Sequence, residues 1–182
     1  SPRSAPVVDG VLLGSSVNAV TWTEIHDGAA QAAPLPEAAY ELLAFELCAG
    51  VGLGEITAGA TMVVVNPDGS DGGAIGLRFL GPDPAKPNRV RYEIVKPLGQ
   101  DALPAGRYRV MLADTSVKSA TGQILDGEWI NPGPLAPAGS QFPSGNGTAG
   151  GNFVFEFTVG NPGGLSLAGL GEISVQALHS VV

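Results

Sequence analysis

Seven consecutive residues, Phe153-Val154-Phe155-Glu156-Phe157-Thr158-Val159, place a large apolar side chain at every second position. A period of two sends alternate side chains to opposite faces of an extended strand. Arg107-Tyr108-Arg109-Val110-Met111-Leu112 repeats the pattern, with Tyr108, Val110 and Leu112 on one face. A strand with one apolar face needs a second layer to cover it. These two segments therefore predict an all-β fold, an antiparallel β-sandwich.

The rest of the chain fits short strands divided by turn residues. Val7 to Leu13 reads as a first strand with Gly10 as a bulge, and Val20 to Ile25 as a second, in which Trp22 is expected in the core. Tyr40 to Leu47 suits either a helix start after Pro36-Glu37 or a strand; Leu43, Phe45 and Leu47 fall on one side, which favours the strand. Thr61 to Val65 and Ile75 to Leu80 form a hairpin around Asn66-Pro67-Asp68-Gly69-Ser70-Asp71-Gly72-Gly73, all turn formers. Gly81 to Asn88 reads as a proline-rich connection before Val90 to Val95. Residues 1–160 make one domain, and residues 161–182 a glycine-proline hinge with a terminal strand. That strand, with Ile173, Val175 and Ala177 on one face, either completes its own sheet or adds to a neighbouring copy.

Composition narrows the partners. Only 14% of residues are charged and the net charge is −8, so nucleic acid and anionic membrane surfaces would repel the chain. No apolar run approaches the roughly 18 residues of a membrane span, and no signal-peptide pattern opens the chain, so Ser1 reads as a mature or trimmed end. The single cysteine, Cys48, excludes an internal disulfide and is expected as a small buried hydrophobe.

The run L-P-A-G-R-Y-R-V-M-L, then V-K-S-A-T-G-Q-I-L-D-G-E-W, then F-P-S-G-N-G-T-A-G-G-N-F-V-F-E-F-T-V resembles the bacterial Ig-like domains of surface-layer and other large extracellular proteins, in particular a planctomycete-type secreted form. The resemblance covers about residues 60–160 and departs at Ser119-Ala120-Thr121-Gly122-Gln123, where that family often carries Asp and Asn. It implies an Ig-like sandwich, a secreted or cell-surface location, and a structural or adhesive role without catalysis. The expected partners are further copies of the chain or other cell-surface proteins.

Candidate sites are few. Asn66, Asp68 and Asp71 put oxygen ligands at nearly alternate positions, as a calcium loop would, although the Gly and Glu of an EF-hand are missing. Calcium is the cofactor class this turn suggests; no other is indicated. Asp114, Asp126 and Glu128 form a second acidic group, with Asp126-Gly127 more simply a turn. Trp129 and Phe142 lie in one loop region and define the alternative reading, a carbohydrate-binding module that stacks rings on sugar. Gly145-Asn146-Gly147-Thr148-Ala149-Gly150 spells a dinucleotide fingerprint, but a Phe-rich strand follows where a helix is required. No nucleophile-base or metal-ligand spacing appears around His26 or His179, so no catalytic residue is assigned.

Overall fold

The computed structural model describes residues 5–15, 20–25, 39–96, 102–128 and 142–160. They form ten strands: β1 (Val7–Gly14), β2 (Trp22–Ile25), β3 (Leu42–Cys48), β4 (Leu53–Ile56), β5 (Ala60–Val65), β6 (Asp71–Asp83), β7 (Lys86–Val95), β8 (Gly106–Leu112), β9 (Val117–Ser119) and β10 (Phe153–Val159). Eight join one antiparallel sheet in the order β10-β8-β5-β6-β7-β3-β1-β2, and β4 pairs with β9 in a small second sheet.

The fold is all-β, but the two layers are not the separate sheets of an Ig sandwich. The corner is β6. Its first half pairs with β5 through Ile75, its second with β7 from Gly76 onward, so one 13-residue strand belongs to both layers. The register slips between Phe79 and Gly81, where Gly81 adopts φ +84°, and a bulge of this kind bends a strand without ending it. The large sheet therefore curls into a near-closed barrel. Phe45 of β3 meets Phe153 of β10 edge to face, centroids 6.2 Å apart, although four strands separate them in the sheet.

Inside the curl the alternation predicted from sequence holds. Tyr108, Val110 and Leu112 of β8 and Phe153, Phe155 and Phe157 of β10 point into one core with Met62, Tyr92, Leu43, Phe45 and Leu47. Tyr108 also donates from its hydroxyl to the carbonyl of Pro104, four residues upstream, at 2.6 Å. This bond, of the same kind as the tyrosine corner of Ig-type sandwiches, fixes the entry of β8.

The barrel seam is closed by side chains and loop backbone. Ser144 donates its N–H to the carbonyl of Val8 and accepts the Val8 N–H on Oγ, while Asp126 donates its N–H to the carbonyl of Pro6. The edge of β1 that β2 leaves uncovered is thereby tied to the segment leading into β10.

Four expectations need correction. The Ig-like sandwich becomes a near-closed barrel with a two-stranded annex, because β6 stays hydrogen-bonded across the corner. Gly81 to Asn88 is no connection: β6 and β7 run to a tight turn at Pro84-Ala85, held by Asp83 Oδ1 accepting the Ala85 N–H. Cys48 is exposed: it is the last residue of β3, beyond Glu46, where the pairing with β7 ends. Trp22 is half-buried on the edge strand β2, under the Arg89 guanidinium at 4.9 Å. The bulge expected at Gly10 is present: β1 carries one residue more than β3 between Val8 and Gly10.

Candidate functional site

The turn between β5 and β6 holds the three calcium candidates. The Asn66 N–H donates to the Ser70 carbonyl and the Gly69 N–H to the Asn66 carbonyl, closing the turn. Asp68 Oδ1 accepts both the N–H and the hydroxyl of Ser70, at 2.9 and 2.6 Å, and these bonds hold its carboxyl below the usual range. Asp71 pairs with Arg109, which also donates to the Gly69 carbonyl. The cation at this turn is thus an arginine of β8, and Asn66 spends its amide on Ser70 and Asp71. Among the described residues no group of three His, Cys, Asp or Glu is arranged to hold a metal ion.

Arg109 belongs to a ladder on the outer face. Glu156 of β10 accepts from Arg107 at 2.9 Å and from Arg109 at 2.9 Å. On the other half of the barrel Glu46 takes both Lys86 and Arg89, and Glu93 takes Arg78. Burial alone would raise the Glu46 carboxyl, but the hydrogen bonds and charges of Lys86 and Arg89 outweigh it and hold the group low. Cross-strand pairs of this kind fix register and each contribute about 0.2–1 kcal/mol.

The structure does bring Asp126 and Glu128 together, with Asp114 behind them, beneath the glycine-rich loop. Asp126 is buried, and its two carboxylate oxygens accept the N–H groups of Asn146 and Gly147 at 3.0 and 2.9 Å. Asp114 Oδ2 accepts the Gly151 N–H at 2.8 Å. The loop can lie this close because Gly145, Gly147, Gly150 and Gly151 all take positive φ, a region costly for other residues. The G-x-G-x-x-G run is thus a loop clasped by carboxylates of its own chain.

Glu128 is the odd member. Its Oε1 is shut off from solvent and has no hydrogen-bond partner among the described residues. Burial first, then a hydrogen bond with Asp126 and the charges of Asp126 and Asp114, raise its carboxyl above the ordinary 4.5. A raised native value means the folded chain holds the proton longer than the unfolded one. Stability therefore falls as pH climbs from about 4.5 through the raised value, and the penalty is complete above it. Glu128→Gln, neutral throughout, is expected to melt later than the parent at pH 7, with the gap closing below about pH 4.5. Thermal melts of both proteins across pH 3.5–8 read this directly; a gap that stays constant with pH would defeat it.

Of the aromatic pair, Phe142 lies against the core, its ring stacked on Phe155 at 5.9 Å and tilted on Phe153 at 6.3 Å. Trp129 lies outside the described residues, as do Ile173, Val175 and Ala177 and both histidines.

A concavity was not foreseen from sequence. An open groove of about 660 Å³ is lined by Leu47, Cys48, Leu53, Ile56, Pro82 and Pro87, among others. It lies between β4 and the β6–β7 hairpin, and it is apolar. Its sequence signal is weak: glycine-rich residues 50–60 read as a loop or a short irregular strand around Leu53 and Ile56, and the strand is what forms, as β4. Gly54 is there because a Cβ would come within 2.5 Å of the Ser119 carbonyl oxygen, which lets β4 pair closely with β9.

No protein-family model, curated protein or solved structure matches this chain. No helix among the described residues is long and apolar enough to cross a membrane.

Proposed function

We propose that this chain is a non-enzymatic β module of the extracellular surface, structural or adhesive in role and Ig-like in ancestry. One observation carries the reading: apart from Glu128, the described polar groups that look like chemistry are spent on holding the fold. Asp71, Arg109, Glu156 and Arg107 form one outer ladder, Lys86, Glu46 and Arg89 another, and Asp126 and Asp114 clasp a loop. A catalytic site needs ionisable groups aimed at a space a substrate can enter. The groove beside β4 is open, and its described lining carries no Asp, Glu, His, Lys or Arg, with Cys48 its one ionisable residue.

The bond from the Tyr108 hydroxyl to Pro104 supports the Ig-like part of the reading, and the acidic, sparsely charged surface supports a secreted setting. The carbohydrate-binding alternative draws less support, because Phe142 gives a face to Phe155. The test is the size of the purified full chain in solution, with and without a chelator. Large or fibrous species that persist in the chelator are expected; a monomer under both conditions would end the structural-subunit reading.

A further inference from the structure

The described barrel has two unlike ends. β10 runs antiparallel to β8 and finishes at Val159 opposite Gly106, and Arg107 next to it pairs with Val65, where the Asn66–Asp71 turn begins. Val159 therefore lies at the turn end. The other end, past Leu112, carries β4, β9, the β6–β7 turn and the apolar groove.

At that groove β4 is hydrogen-bonded to a strand on one side only. Its partner is β9, through Leu53 with Ser119 and Ile56 with Val117, and among the described residues no strand lies on its second edge. A free strand edge beside an apolar trough is the geometry that accepts an added strand. The edge supplies backbone bonds and the trough takes every second side chain.

The sequence beyond Gly160 contains a segment of matching pattern. Glu172-Ile173-Ser174-Val175-Gln176-Ala177 alternates polar with apolar residues, so an extended form would offer one face to a trough and the other to water. The groove lies at the end opposite to Val159, where β10 finishes, so copies set end to end bring the Val159 end of one towards the groove of the next. Such a contact is heterologous and leaves both outer ends open for more copies. We propose that the groove beside β4 receives residues 172–177 of a second copy as an added strand. This deepens the structural-subunit reading and rests on it.

Cys48 makes the test direct, because it is exposed, lines the groove and is the only cysteine of the chain. Maleimide labelling of Cys48 is compared in the full chain, across a dilution series, with the full-length double variant Ile173→Asp/Val175→Asp. In assembled parent the labelling is expected to be at least about tenfold slower than in the variant, which sediments as a monomer. Dilution of the parent should restore the fast rate. Leu53→Arg, on the groove side, should likewise abolish assembly while keeping the circular dichroism spectrum of the parent. If assembly depends on Ile173 and Val175 but Cys48 reacts equally fast in both proteins, the groove is the wrong acceptor and the subunit reading survives. A slow rate that does not change on dilution would mean docking within one copy, and overturns the second-copy proposal. A parent that is monomeric at every concentration overturns both.

Discussion

Phe153→Ala is expected to lower the unfolding free energy by about 3–5 kcal/mol, the range seen when a fully buried ring is cut back to a methyl. Phe153 is fully buried. Its ring meets Phe45 from the far side of the curl, Phe155 on its own strand at 5.9 Å, and Phe142 of the loop before β10. Truncation removes apolar burial and breaks three aromatic contacts, each contributing about 0.5–1.5 kcal/mol beyond area. Little can refill the space, because the neighbours are rings whose own rotamers are set by the barrel wall. Urea denaturation with an unchanged slope would report the loss cleanly. Val154→Ala, one residue along and on the outer, half-buried face, is the matched control and should cost no more than about 1.5 kcal/mol. Equal losses at the two positions would mean that β10 does not line the core.

That contrast was legible from sequence, since it follows from period two alone. Parity did not reveal Cys48. Leu42 and Ala44 share its face of β3 and are fully buried, and Cys48 is exposed because it ends the strand, beyond Glu46, the last residue paired with β7. Trp22 misled for a similar reason. Its β-favouring neighbours indicated a strand, but β2 pairs only with the last four residues of β1 and closes one side of the sheet. An edge strand exposes what a central one would bury.

The corner could not be read. Gly81-Pro82-Asp83-Pro84 has the composition of a loop, and only the pairing of β6 with both β5 and β7 shows that the strand continues through it. Prolines survive there because bulges interrupt the ladder where their missing N–H groups would be needed. The acidic clasp was hidden by distance along the chain. Asp126 reaches N–H groups twenty and twenty-one residues ahead, and nothing in Asp126-Gly127 itself separates a turn from a buried clasp. Tyr108 lay in between: L-P-A-G-R-Y announced a strand, whereas the hydroxyl bond to Pro104 needed the backbone turn to be seen.

Gly127→Ala, which adds a single methyl group, is expected to cost about 3 kcal/mol or more. A Cβ at this position would lie 2.6 Å from the Gly151 carbonyl oxygen, 2.7 Å from the Phe153 nitrogen and 3.0 Å from the Asn152 carbonyl carbon. All three are backbone, so no rotamer change relieves the clash. Moving them apart stretches the bond from the Gly127 N–H to the Gly151 carbonyl and lifts the start of β10 away from Leu112. It also pulls on Asp126, whose carboxylate and N–H bind the loop and Pro6 together. Gly73→Ala tests the reasoning, because a Cβ there meets nothing within 4 Å, and its effect should stay within about 0.5 kcal/mol. Amide exchange in Gly127→Ala should rise first at Asn146, Gly147 and Gly151, whose N–H groups the clasp protects. If those amides keep their protection while stability drops, the damage lies in the barrel and not in the loop, and the clasp does not set the position of β10.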